Sequence, residues 1–355
     1  MGKAQLDLAL AVAPDRQSLH MPRIDSLPDG EVFQMMSSLS RRSFLGGATA
    51  AATTAMLARV AHAAAKRVRM RNPDLPAAAS GTIWIGGDLQ VSRIGLGTAE
   101  FSRLKVADDV AAVRAVLRRG YDLGVNFIDT ADAYGDAEQF VHDALYPYPS
   151  DLVISTKGGK SAGADGSFPL DGRPEHLRAA CEASLKRLAL EQIPLYYLHE
   201  PDPKVRFEDS MGELGKLQKE GKIGHIGLSN VNAAQLATAR SVVSVAAVQN
   251  QYNILTRESD DILAICEREH IVFVPYSPLG GRRTKALNTE DARLAGLQAL
   301  AEKRHISLAE VVLAWLLARS PVMLPIPGTT RVDHVESDVA AAKARLTKEE
   351  MEQIG

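Results

Sequence analysis

Cysteine is almost absent from the chain, which has two among 355 residues, Cys181 and Cys266. Neither belongs to a Cys-x-x-Cys pair or a Cys/His cluster, so no zinc or other metal site is expected. Each lies in an amphipathic helical pattern (AACEASLKRL and ILAICEREH), where a buried free thiol is the simplest reading. A basic excess is missing too. The 41 lysines and arginines face 43 aspartates and glutamates, a net charge of −2. Neutralising nucleic-acid phosphates wants a clear positive surplus, so no nucleic-acid partner is expected. Beyond the first 65 residues no apolar run approaches the about 20 residues that a spanning helix needs, so the remainder is expected to hold no stable membrane span. What is present is ordinary: 46% hydrophobic and 24% charged residues, enough for a sizeable core.

The front of the chain is different. In SLSRRSFLGGATAAATTAMLARVAHAAAKR, residues 38–67, an arginine pair (Arg41, Arg42) precedes a weakly apolar run from Phe44 to Leu57 and a small-residue site at Ala61-His62-Ala63. That order fits a twin-arginine export signal, and the run is too short and too rich in Ala, Thr and Gly to span a bilayer. We therefore expect residues 1–65 to be a leader, with Met35 or Met36 as an alternative start that would leave the first 34 residues untranslated. A linker over 66–82 and a folded domain over 83–355 follow. The expected partner is the twin-arginine export machinery and the expected location the periplasm, or the cytoplasm if the signal is not used. Because that route carries folded proteins, a domain without a disulfide framework suits it.

From residue 90 onward, short runs rich in Val, Ile and Leu alternate with longer helical patterns. The runs are RIGLGT, VNFIDT, LVISTK, PLYYLH, HIGLSN, AAVQNQ, IVFVPY and VMLPIPG. Between them lie stretches such as EHLRAACEASLKRLAL and FEDSMGELGKLQKEG with apolar residues at three-to-four spacing, and Gly124 and Gly221 stand where helix C-caps are expected. Eight strand–helix pairs predict an α/β fold, a closed (β/α)8 TIM barrel, with TIWIGGDLQVSRIG as an N-terminal β-hairpin at the barrel bottom. A doubly wound dinucleotide fold would show GxGxxG after the first strand, but the chain reads Gly95-Leu96-Gly97-Thr98-Ala99-Glu100. Gly159-Lys160-Ser161-Ala162-Gly163 matches a nucleophile-elbow pattern without a following helix and is read as loop.

In such a barrel the C-terminal strand ends meet at one mouth. Asp129, Lys157, His199, Ser229, Asn230, Gln249 and Tyr276 all occupy such ends, with Tyr134 just after the first of them. A lysine beside a tyrosine stabilises phenolate and lowers its pKa from about 10. A carboxylate beside that lysine keeps it charged, and a histidine can donate to a carbonyl oxygen, so together they describe a proton donor and an oxyanion site.

FIDTADAYG, STKGG, the strand ending in Leu198-His199, GKIGHIGLSN, VQNQYN and PYSPLGG resemble the aldo/keto reductase family, from about residue 83 to 350. The resemblance implies NAD(P)H-dependent reduction of an aldehyde or ketone. It implies Tyr134 as general acid, Lys157 as its pKa-lowering partner, Asp129 as orienter of Lys157, and His199 as the donor that positions the carbonyl. It places the nicotinamide carboxamide on Ser229, Asn230 and Gln249, the ring on Tyr276, and the pyrophosphate under the loop Ser277, Pro278, Leu279, Gly280 and Gly281. The adenosine phosphate falls to Gly328, Thr329 and Thr330. Where many relatives carry basic residues around a 2′-phosphate this chain has Gly328 and His334, and an adenine-binding pair reads Ser337-Asp338. Arg331, Arg282 or Arg283 could compensate, and NADP(H) is expected over NAD(H). A nucleotide-binding redox sensor with little turnover is the alternative. The loop from Gly158 to Pro174 is expected to cover the mouth.

Overall fold

The computed structural model describes residues 68–354 apart from 71, 105–110, 162, 164–166 and 281–291. The arginine pair, Met35, Met36, Gly281, Arg282 and Arg283 lie outside the described residues.

An antiparallel hairpin comes first, β1 (Thr82–Ile85) and β2 (Leu89–Ser92). Seven parallel strands follow in chain order: β3 (Leu96–Gly97), β4 (Phe127–Asp129), β5 (Val153–Gly158), β6 (Ile193–Leu198), β7 (Ile223–Ser229), β8 (Val245–Gln249) and β9 (Val272–Phe273). They match seven of the eight predicted runs. The eighth, VMLPIPG, forms no regular strand, yet it closes the ring. Phe273 N donates to Val322 O at 2.9 Å on one side, while Gly95 N donates to Pro325 O at 2.9 Å and Gly97 N to Pro327 O at 3.0 Å on the other. Pro325 and Pro327 have no N–H to return those bonds, so half of that ladder cannot form although the segment lies where a strand belongs. The result is the predicted (β/α)8 barrel.

Alternation along the strands sorts side chains into two cores. Phe127, Val153, Leu195, Tyr197, Ala247, Val272 and Leu324 fill the barrel interior, joined by Ile85, Leu89 and Val91 of the hairpin. The hairpin thus packs on residues from the early parts of the strands, at the barrel bottom. Ile128, Ile154, Tyr196, Leu198, Ile226, Val248 and Phe273 point the other way, into the layer shared with the helices.

Helices α1 (Ala111–Asp122), α2 (Ala137–Leu145), α3 (Pro174–Arg187), α4 (Phe207–Lys219), α5 (Ala233–Val242) and α6 (Asp260–Glu269) follow successive strands, and α7 (Ala292–Arg304), α8 (Leu308–Arg319), α9 (Val332–Ala340) and α10 (Lys348–Ile354) complete the set. In α1 Val113, Val116, Leu117 and Gly120 form one buried stripe. Each of the three larger side chains contributes roughly 1.5–3 kcal/mol relative to exposure. Gly124 and Gly221, with φ of +94° and +78°, end α1 and α4 as expected. Asn232 with Gln235 and Ser307 with Glu310 form reciprocal caps on α5 and α8. Within the stretch expected to be linker, Pro76–Ser80 form a 3-10 helix whose Ala77 is fully buried and donates from its N–H to Leu123 O at 2.9 Å. The folded body therefore takes in part of that stretch.

Candidate active site

The inward positions at the C-terminal ends of β4 and β5 carry Asp129 and Lys157, with Asp129 opposite Ser155, two residues before Lys157. Lys157 Nζ donates to Asp129 Oδ2 at 2.6 Å and to Thr130 O at 2.8 Å, and its side chain is wholly buried. The other carboxylate oxygen of Asp129 accepts from Ser155 Oγ at 2.8 Å and from Gln249 Nε2 at 3.0 Å. A buried ion pair holds only if its remaining lone pairs and protons are met, and these bonds meet them. Burial is the largest influence on the Lys157 pKa and pulls it down, but the Asp129 carboxylate and Tyr134 together outweigh it, and the net direction is upward. Lys157 is therefore a fixed ammonium.

Tyr134 arrives on the turn after β4, held by Tyr134 N donating to Ala131 O at 3.0 Å. Lys157 Nζ stands 5.1 Å from its ring centroid. Sequence reasoning expects Lys157 to make this phenol more acidic than a free one. Lys157 does pull downward, yet burial pushes harder, and the Tyr134 pKa ends above 10.0. The phenol is thus protonated across the neutral range, as a proton donor must be.

His199 follows β6, 7% exposed, with its ring edge-on to Tyr134 at 5.6 Å between centroids. Burial, then the charges of Lys157 and Lys160, lower its pKa well below 6.5, so the imidazole is neutral at pH 7. Its buried Nδ1 has no hydrogen-bond partner among the described residues. Such an orphan next to a cavity is capacity left for a ligand.

Two adjoining cavities share Ala99, Tyr134, Gln249 and Tyr276. One, of about 250 Å³, is bounded by Ser102, Lys160, Phe168, His199, Ser229 and Asn230. The other runs past Asp129, Ser277, Pro278 and Leu279 to Gly97 and Gly328. All four residues of the expected catalytic set and most of the expected nucleotide-binding set therefore converge. Asn230, directly after β7, and Ser277, four residues past β9, sit in left-handed backbone, φ +57° and +49°. Left-handed non-glycine residues clustered at a cavity are where strain accompanies function. The Asn230 amide donates to His199 O at 3.0 Å and Ser229 Oγ at 3.1 Å, and its Oδ1 accepts from the Tyr276 hydroxyl at 2.8 Å. Asn230 thus braces its neighbours, and Ser229, Asn230 and Gln249 together line the cavity as polar groups beside Tyr276, whose ring is held for stacking.

The adenosine end is less well gathered. Thr329, Thr330, Arg331 and His334 surround the start of α9, whose N-cap is Arg331, and Asp338 lies in its last turn, but none of them lines either cavity. Thr329 Oγ1 bonds His334 Nδ1 at 3.0 Å, and Asp338 is buried. Arg331, offered as a phosphate ligand, forms a two-pronged pair with Asp333 at 3.0 and 2.6 Å. Both partners are more than half exposed, so solvent screens the pair and an incoming phosphate can displace it.

Sequence reasoning missed Ser155, Lys160, Phe168 and Ala99 as site residues. Ser155 was legible as the inward neighbour of Lys157 by period-two spacing. Phe168 lies in the loop expected to cover the mouth, and its ring meets Tyr134 edge-on at 6.3 Å.

A sequence model described as the aldo/keto reductase family matches residues 93–355. The chain is 38% identical over 278 residues to an uncharacterized oxidoreductase of Schizosaccharomyces pombe, covering 77% of this chain and 88% of that protein. It is 36% identical over 275 residues to pyridoxine 4-dehydrogenase of Escherichia coli K12, covering 74% and 93%. A crystal structure of an aldo-keto reductase from Klebsiella pneumoniae in complex with NADPH superposes with a TM-score of 0.65 at 28% identity, covering 77% of this chain and 93% of that one.

Proposed function

The chain belongs to the aldo/keto reductase family, and on that premise we propose that it reduces an aldehyde or ketone with NADPH, with Tyr134 as the proton donor. The observation that carries the proposal is the assembled cluster itself: a buried Asp129–Lys157 pair at 2.6 Å beneath a protonated phenol, beside a neutral histidine with unused hydrogen-bonding capacity. The residues present fit a nicotinamide nucleotide, since Gln249, Ser229, Tyr276 and the Ser277–Leu279 turn line continuous walls beside Tyr134. Bound NADPH would supply the hydride.

The protein's own residues handle the charge that this creates. As a carbonyl carbon gains hydride, its π electrons move to oxygen. Tyr134 transfers its hydroxyl proton to that oxygen, forming the alcohol and leaving a phenolate. Lys157, kept charged by Asp129, stabilises the phenolate, and such preorganised charge needs no rearrangement at the moment of reaction. His199 holds the oxygen beforehand, and as a neutral ring it adds no competing positive charge.

NADP(H) is proposed over NAD(H) because the Klebsiella reductase was crystallised with NADPH and the exposed Arg331 can be redirected to a phosphate. Titration of both nucleotides by intrinsic fluorescence decides this, and tighter NAD binding contradicts it. The function itself is tested by following NADPH absorbance with a panel of aldehydes, ketones and quinones. Turnover of at least one carbonyl is expected, and tight nucleotide binding with no turnover favours the sensor instead. We also propose export by the twin-arginine route, supported by the order of features over residues 38–67, ahead of the family match. Fractionation with a C-terminal tag is expected to find a shortened chain in the periplasm. Full-length protein confined to the cytosol contradicts export.

A further inference from the structure

The carbonyl-reducing site proposed above has a second cationic feature that the chemistry at Tyr134 does not use. Lys160 stands two residues beyond β5, pinned in a folded-back arm by its bridge to Leu170 and by Ser161 N donating to Pro169 O at 3.0 Å. The same arm carries Phe168, 41% exposed, against the edge of Tyr134. Lys160 and Phe168 therefore form one wall of the space into which a substrate must extend once its carbonyl lies at Tyr134 and His199.

Lys160 is paired with Glu200 at 2.6 Å, but the pair is not symmetric about the cavity. The lysine side chain is 16% exposed and lines the cavity, whereas the glutamate side chain is 38% exposed and does not. Both charges reach the site, Lys160 acting on His199 and Glu200 on Tyr276, but only the lysine forms part of the wall. An ammonium has three donors, of which Glu200 takes one. Lys160 is also the one Lys or Arg among the described residues lining these two cavities. An aromatic face beside an inward cation with unused donors is a subsite for an anion attached to a flat, apolar body.

We infer that the site takes carbonyl substrates that carry an acidic group, with Lys160 holding the acid and Phe168 covering the body of the molecule. This rests on the reductase reading for the word carbonyl, but the acid preference is measurable as binding alone. The probes are the two alcohols 4-(hydroxymethyl)benzoate and its methyl ester, titrated calorimetrically into the full chain loaded with NADP+, alongside turnover of the matching aldehydes. The expected result is that the acid binds at least about tenfold tighter than the ester at low salt. Lys160→Met brings the ratio near one, Glu200→Gln widens it, and added sodium chloride weakens only the acid. Equal binding of acid and ester by the wild type, or a ratio that survives Lys160→Met, overturns the inference. Acid-selective binding without turnover of either aldehyde leaves the subsite standing and removes the reductase reading. Turnover of both aldehydes with no acid preference does the reverse.

Discussion

Replacing Lys157 by methionine removes one charge from the centre of the barrel and changes little in shape. Asp129 keeps its bonds from Ser155 Oγ at 2.8 Å and Gln249 Nε2 at 3.0 Å but loses the ammonium at 2.6 Å, and Thr130 O loses its donor at 2.8 Å. The Lys157 side chain is fully buried and that of Asp129 is 3% exposed, so little solvent reaches the stranded carboxylate. Breaking a buried pair by removing one partner costs about 3–5 kcal/mol, because the remaining charge is left uncompensated. Lys157→Met is therefore expected to lower the urea midpoint by that amount of stability, with an unchanged slope. Adding Asp129→Asn removes the stranded charge, and the double variant is expected to regain most of the loss. It should regain no activity, because neither neutral side chain can stabilise a phenolate at Tyr134. A Lys157→Met protein that unfolds at the wild-type midpoint, or a double variant no more stable than the single one, refutes this account of the pair.

His199 gives a pH test. Its folded-state pKa lies well below the unfolded value of 6.5, through burial first and then Lys157 and Lys160. As pH falls through about 6.5 the unfolded chain takes up a proton that the folded chain refuses, so this residue costs stability progressively down to its folded pKa. The stability difference between wild type and His199→Gln should therefore shift against the wild type by up to about 1.4 kcal/mol per pH unit below 6, and a difference that stays constant from pH 7 to 5 contradicts it. A third prediction concerns the far side of β5, where Arg187 Nε donates to the buried Glu138 at 2.6 Å and Arg187 also pairs with Asp132, two residues before Tyr134. Glu138 in turn accepts from Thr156, next to Lys157, at 2.5 Å. Arg187→Met should cost about 3 kcal/mol, the low end for a broken buried pair because Arg187 is itself a third exposed. It should lower kcat more than it raises KM, since it loosens the turn that carries Tyr134. A wild-type melting temperature or a pure KM effect counts against this.

The site was readable in sequence to the extent that barrel geometry dictates it. Asp129, Lys157, His199, Ser229 and Gln249 end separate strands, and a closed parallel barrel leaves such ends one place to meet. Features set by partners across the fold were not readable. The phenol's upward pKa depends on how deeply Tyr134 is enclosed, which no local pattern states. The Asn230 amide looked free for a carboxamide but is engaged by His199, Ser229 and Tyr276. The eighth strand was legible as an apolar run, and its two prolines explain why it closes the barrel without becoming a regular ladder member. Sequence places Lys160 in the loop that covers the mouth but not its direction, which is set by the bridge to Leu170 and the pair with Glu200.

The most direct measurement is the rate of NADPH oxidation by Tyr134→Phe against the wild type, with the best carbonyl of the panel and with NADPH affinity measured in parallel. A proton donor held by the Asp129–Lys157 pair predicts unchanged nucleotide affinity and a kcat lower by about 10²–10⁴-fold. A phenylalanine variant that binds NADPH normally and turns over within about tenfold of the wild type contradicts it.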